Sequence, residues 1–377
     1  MSQAQKENNH AGLLGGLLIG LICLGLTSAV SAESASPLGK PVADAAIGSY
    51  VAQGGVSGGI VIAGSDTMQP IVAKIAAAFR DRQPDVKVSV QGGGTDAALR
   101  QFLQNQSTMR RGDGAPSKGT PIVAGTIALL AASRPLTESE REDFRSRYGY
   151  DVTEIPIALD AIAVYVNRQN PVEGMTLEQL DAIFSQDRKR GGQEITAWGQ
   201  LGLRDEWAQQ PVQRYGQDKR SGTRAIFIHK VLEDGNLRPD VRIQSGPASV
   251  ILALSKDVLG IGYASIGFQA SAVRVLPLAE RVGETFIAPS SASVANGTYP
   301  LSRSLYLYAR KDPQAGLEPA VLEFLKFVNS REGQTLVAKA GAYPLPVQQV
   351  AKNMQALTGA GMTASASKTE EQVNTIQ

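Results

Sequence analysis

A strand–glycine turn–helix unit that occurs twice between residues 58 and 104 constrains this chain more than any other feature. Ile60-Val61-Ile62-Ala63 is a short apolar run ending in Gly64-Ser65-Asp66-Thr67, and Pro70 then opens a helical pattern. Ile71, Ile75 and Phe79 recur every four residues, which places them on one helix face. Val86, Val88 and Val90 alternate as in a strand. Gln91-Gly92-Gly93-Gly94-Thr95 then turns into a second helix with Ala98, Leu99 and Phe102 as its apolar residues. Parallel strands need a crossover, so the alternation predicts an α/β sheet with ligands at the carboxyl ends of its strands.

The remainder extends the pattern. Ile155 to Val166 reads as a long strand, and Thr176, with Gln179 three residues on, reads as the cap of a helix carrying Leu177, Leu180, Ile183 and Phe184. Leu301 to Ala309 is another strand, followed by an amphipathic helix near Glu318 to Asn329. A chain of 377 residues is longer than one core usually supports, so two domains are expected. Residues 33–57 mix Ala, Ser, Gly and Pro with little periodicity and read as a linker, and residues 351–377 read as a disordered tail. The polar stretch Ser107 to Thr120 reads as an exposed loop, and its Arg111-Gly112-Asp113 triplet as chance.

The N-terminus reads as a targeting segment. Ala11 to Leu26 is apolar but, at about 16 residues, short of the roughly 20 a membrane span needs. Lys6 precedes it, and Ala29-Val30-Ser31-Ala32 offers small residues for a cut after Ala32. Residues 1–32 are therefore expected to be a cleaved secretory signal, the alternative being an uncleaved anchor. Cys23, flanked by Ile22 and Leu24, is a poor lipoprotein site. The mature chain would keep no cysteine and one histidine, His229. That excludes disulfides, Cys-rich zinc sites and most Cys/His catalysis, and no metal or cofactor is expected. Lys plus Arg is 37 against 35 Asp plus Glu, a net +2, which gives no overall nucleic-acid footprint.

Three separated sites share one chemical character: Ser65-Asp66-Thr67, Gly94-Thr95 and Ser221-Gly222-Thr223. Each puts small hydroxyl residues where a turn meets a helix start, and a helix start carries unpaired N–H groups and the positive end of a dipole. One such site is ordinarily a plain N-cap. Three in one α/β chain, with Ser133-Arg134 in a further loop, outline an oxyanion pocket. None has the Gly-Lys-Ser or Gly-Lys-Thr of a P-loop, which argues against nucleotides. A Ser-His hydrolase would need His229. If Ser221 caps the helix that contains it, eight residues separate them by about 12 Å, beyond hydrogen-bond reach. Asp66 and Asp160 fall in an anion-binding turn and a strand, so they make a poor carboxylate pair. The chain is read as a binding protein without catalytic residues.

These residues resemble a family. Gly64-Ser65-Asp66-Thr67-Met68-Gln69-Pro70, Gln91-Gly92-Gly93-Gly94-Thr95 and Ala132-Ser133-Arg134-Pro135-Leu136 occur in the order seen in periplasmic phosphate-binding proteins of ABC transporters. Ala158 through Asn167, Thr176-Leu177-Glu178-Gln179-Leu180, Trp198-Gly199-Gln200-Leu201-Gly202 and Tyr215 through Phe227 continue the match. Gly260-Ile261-Gly262-Tyr263 and Phe327 through Gln334 complete it, so that it covers about residues 58 to 348.

The resemblance implies a type II periplasmic binding protein fold: two α/β lobes joined by a two-segment hinge, with a ligand cleft between them. Lobe 1 would be discontinuous, 58–157 plus 303–350, and lobe 2 would be 158–302 including the hinge strands, with crossings near Ile157–Val166 and Tyr299–Leu307. Family roles carried onto this chain assign phosphate binding to Thr67, Met68, Thr95, Ser221, Gly222 and Thr223. Ser133, Arg134 and Arg220 join them as cleft candidates. Two positions depart from the pattern. Arg134 stands where well-studied members have an Asp that accepts the phosphate proton, and Gln217 stands where the most similar subgroup has Arg. A solvent-facing Arg134 would leave Asp66 or Asp160 as the acceptor. The expected function is capture of inorganic phosphate by a periplasmic monomer and its delivery to an ABC permease and ATPase complex. The alternatives are another oxyanion (sulfate, molybdate, a phosphorylated metabolite) or a surface or matrix protein that keeps the fold without transport.

Overall fold

A computed structural model of the protein describes residues 41–104 and 126–359. The expected signal segment, the Arg111-Gly112-Asp113 loop and residues 360–377 lie outside the described residues. The chain runs β1 (Gly58–Gly64), α1 (Gln69–Arg82), β2 (Val86–Gln91), α2 (Thr95–Gln104), β3 (Leu129–Ala132) and α3 (Glu138–Tyr148). It crosses over in β4 (Thr153–Asn167) and continues through β5 (Met175–Thr176), α4 (Leu177–Phe184), β6 (Gln213–Gln217), α5 (Gly222–Leu232) and β7 (Arg242–Gln244). Next come α6 (Pro247–Lys256), β8 (Gly260–Ser265), β9 (Val273–Leu276), β10 (Leu278–Ala279) and α7 (Ser291–Ala295). It returns in β11 (Ser302–Ala309) and ends with α8 (Pro319–Val328), α9 (Arg331–Lys339) and α10 (Val347–Thr358).

The two crossing strands organise everything else. β11 pairs antiparallel with β3 on one side and with the first half of β4 on the other. Beyond Ala161, β4 changes partners and pairs with β8 and β9. The sheet therefore reads β2-β1-β3-β11-β4 on one side and β4-β8-β6-β7 on the other, with β4 common to both. β1 is parallel to β2 and β3, and β6 is parallel to β7 and β8, as strands linked by helices must be.

Separate cores follow from this split. On one face of the first half, Ile71, Ile75 and Phe79 of α1 pack against Ile62 of β1, Leu305 and Leu307 of β11 and Phe324 of α8. On its other face, Phe102 of α2 stacks on Phe144 of α3 beside Leu130 and Tyr308. The second half is built around Tyr165, Phe184, Trp198, Phe227 and Tyr263, with the rings of Phe227 and Tyr263 stacked 3.8 Å apart. Thr176 caps α4 in the expected reciprocal box with Gln179.

Two expectations are corrected. The supposed linker is anchored from Ile47 to Val56: Ile47, Tyr50 and Val56 are buried, and Tyr50 donates its hydroxyl to Glu323 at 2.8 Å. The supposed tail begins inside α10, which buries Val350, Asn353 and Leu357 and donates from Asn353 Nδ2 to the carbonyl of Pro156 on β4.

Candidate functional site

Four turns meet at the junction of the two halves, three after the parallel strands β1, β2 and β3 and one after β6. The Ser65 N–H bonds the carbonyl of Ala131 at 2.9 Å, which fastens the first turn to β3. The second turn needs glycine: Gly93 and Gly94 have φ of 111° and 92°. Asp66 Oδ1 accepts from the Gly93 N–H at 2.7 Å and so joins the first turn to the second. Ser133 donates its N–H to Thr95 Oγ1 at 3.3 Å. Thr67, Thr95, Ser133 and Thr223 are all at least 97% buried.

The β6 turn packs directly over the other three. Thr67 Oγ1 and Thr223 Oγ1 lie 3.2 Å apart, although 156 residues separate them in the chain. A β-carbon on Gly222 would lie 2.5 Å from Ser133 Oγ and 3.1 Å from Thr95 Oγ1. One on Gly94 would lie 2.5 Å from the carbonyl oxygen of Arg220. Ser221 caps α5 by accepting from the Arg224 N–H, and the Gly222 and Thr223 N–H groups have no acceptor among the described residues. They are the free donors that a helix start leaves.

The charged members come from the hinge, where the sequence reading did not look for the cation. Arg303 on β11 and Asp160 on β4 are register partners in the sheet. Arg303 Nε and Nη2 donate to Asp160 Oδ2 at 2.8 and 2.6 Å, and Ser265 Oγ donates to Asp160 Oδ1 at 2.6 Å. Arg303 Nη1 also donates to the Ser133 carbonyl at 3.0 Å, and Nη2 to Thr223 Oγ1 at 2.9 Å. One guanidinium thus touches a turn from each half and the other hinge strand. The available signal was alternation: from Ser302 to Leu307 the buried positions are 303, 305 and 307, and an arginine at an inward strand position needs a buried partner.

The other expected arginines sit elsewhere. Arg134 is buried, but its guanidinium is committed to Asp96 Oδ1 at 2.7 Å, to both carboxylate oxygens of Glu140 and to the Pro135 carbonyl. Burial opposes its charge, and the bonds to Glu140 and Asp96 outweigh that and raise its pKa above the ordinary arginine value. Glu140 is the capping-box residue of α3, so the helix start that Thr137 caps also captures Arg134. Arg220 is exposed and forks onto Asp218. A nearby carboxylate holds each of these guanidinium groups: Glu140 and Asp96 hold Arg134, and Asp218 holds Arg220. Gln217 is buried; its Oε1 accepts from Ser221 Oγ at 2.8 Å and its Nε2 donates to the Tyr263 carbonyl. That pairing commits the Ser221 hydroxyl hydrogen to Gln217. The Met68 N–H, expected on the ligand, closes a turn onto the Ser65 carbonyl at 3.0 Å, with its side chain in the core. His229 is exposed and pairs with Asp234 at 3.2 Å.

Among known proteins, the family described as the PBP superfamily domain matches residues 45–332. The phosphate-binding protein PstS of Pseudomonas aeruginosa is 36% identical over 315 residues, covering 83% of this chain and 91% of that protein. The structure of a "possible phosphate binding protein" from Planctomyces limnophilus matches with a TM-score of 0.56 at 26% identity, over 81% of this chain and 99% of that one. An ABC-type phosphate transport receptor from Vibrio cholerae shares the fold with a TM-score of 0.56, at 24% identity, over 76% of this chain and all of that one. With its two half-sheets, its crossing strands and its turns converging at the strand ends, this chain belongs to the PBP superfamily and, within it, to the phosphate-binding protein family.

Proposed function

We propose that the protein captures inorganic phosphate between its two lobes outside the cytoplasm and delivers it to an ABC permease and ATPase complex. One observation carries the reading: the hydroxyls of Thr67, Thr95, Ser133 and Thr223 and the guanidinium of Arg303 converge, buried, from both lobes. Neutral dipoles and helix-start N–H groups can satisfy a buried oxyanion without a matched number of side-chain charges. A ligand that contacts both lobes favours the closed arrangement over the open one, which is the signal a permease can recognise. Export to the periplasm by the segment 1–32, monomeric behaviour and the absence of catalysis belong to the same reading.

Calorimetry of the purified protein against phosphate, sulfate, molybdate and methylphosphonate tests it. Phosphate should bind one to one and tightest of the four. Tighter binding of sulfate or molybdate, or no heat with phosphate, would overturn the assignment.

A further inference from the structure

The Arg303 guanidinium donates to a turn of each lobe, and its donors can be counted. A guanidinium has five N–H groups and no acceptor. Four bonds are made: two to Asp160, one to the Ser133 carbonyl and one to Thr223 Oγ1. One Nη1 hydrogen therefore has no partner among the described residues, on a side chain that is 97% buried. Thr223 is also constrained. Its oxygen must accept from Arg303, so its own hydrogen points elsewhere, either to Thr67 Oγ1 at 3.2 Å or to a ligand.

We propose that Arg303 is the specificity-determining cation of the cleft: it reads the anion directly through its free Nη1–H and indirectly by fixing the Thr223 hydroxyl as a donor. This rests on the phosphate reading above. Asp160 is the positioning residue. Its carboxylate, held by Ser265, sets the plane of the fork and cancels the guanidinium charge, so the pair adds direction without net attraction for every anion. A second link ties the reader to the hinge. Lys230, two turns along α5 from Thr223, donates to the carbonyls of Pro300 and Ser302 at 3.1 Å each. Both ends of α5 are thereby bonded to the strand that carries Arg303, and an anion that shifts α5 also shifts that strand.

The test compares the purified parent with Arg303→Lys and Asp160→Asn, titrated with inorganic phosphate and with sulfate. Lysine keeps the charge but loses the planar fork. It should weaken phosphate binding by about 10- to 100-fold, the effect of losing a bond from a donor to a charged acceptor. At pH 6, where phosphate is mainly a monoanion and sulfate a dianion, Asp160→Asn leaves the guanidinium uncancelled, so sulfate should gain on phosphate by on the order of tenfold. A purely structural pair would not move that ratio. If Arg303→Lys melts before it can be titrated, the Asp160→Asn ratio still decides the question. Phosphate binding within threefold of the parent in Arg303→Lys, or an unchanged phosphate-to-sulfate ratio in Asp160→Asn, overturns the assignment. No phosphate binding by the parent would instead refute the functional reading and take this assignment with it.

Discussion

Adding a single methyl group at Gly222 should separate binding from folding. Gly222 is the first residue of α5 and has no positive φ, so alanine there is compatible with the helix in either lobe arrangement. The new β-carbon would lie 2.5 Å from Ser133 Oγ and 3.1 Å from Thr95 Oγ1, where 3.4–4 Å is ordinary contact. Both oxygens belong to the opposite lobe and are fully or almost fully buried, so the clash exists only when the cleft is shut. Overpacking of this kind costs about 1–3 kcal/mol. Charged to the closed state alone, that corresponds to roughly a 5- to 160-fold loss of phosphate affinity. The assay is calorimetry of Gly222→Ala against phosphate, with thermal melts of both proteins free of ligand. The melting temperatures should agree within a few degrees. Parental affinity in Gly222→Ala would refute the argument, because it would mean the two lobes do not meet at this turn when the anion is held.

Four further outcomes are expected. Thr95→Ala and Thr223→Val each remove a buried hydroxyl and should weaken phosphate binding by about 10- to 100-fold; calorimetry checks this, and parental binding in both would make these threonines plain caps. Arg134→Ala should leave phosphate affinity within threefold of the parent while costing about 2–4 kcal/mol of stability, read by urea denaturation, since Asp96 and Glu140 lose their partner. Burial pushes the Glu140 pKa up, but the bonds from Arg134 and Thr137 outweigh it and hold the carboxyl below its ordinary 4.5. That stabilisation is present above about pH 4.5 and lost as pH falls through the lower folded value, so melts from pH 5 to 3 should fall more steeply in the parent than in Arg134→Ala. Saturating phosphate should reduce the radius of gyration in small-angle scattering, and an unchanged radius would count against closure on the ligand.

The legible parts of this molecule were local ones. The spacing of Ile71, Ile75 and Phe79, the Thr176–Gln179 box and the hydroxyls at three helix starts are set within a few residues, so the sequence carries them directly. Arg303 was not legible because its partner, Asp160, lies 143 residues away and meets it only through the pairing of β11 with β4. The partners of Arg134 were hidden in the same way. Adjacency to Ser133 suggested the cleft, while Asp96, 38 residues earlier, and the capping glutamate of α3 hold the guanidinium. The segment from Ile47 to Val56 hid its packing because its anchors follow no helix or strand period. Ile47, Tyr50 and Val56 are fastened one at a time, with Arg331 donating to the carbonyls of Ile47 and Ala45.

A crystal structure of the protein grown with phosphate would test the central claim most directly. The account predicts tetrahedral density in the cleft, with oxygens within about 3.2 Å of the hydroxyls of Thr67, Thr95 and Thr223 and of the Arg303 guanidinium. Density at Arg134 or Arg220 instead, or a closed cleft holding no anion at saturating phosphate, would contradict it.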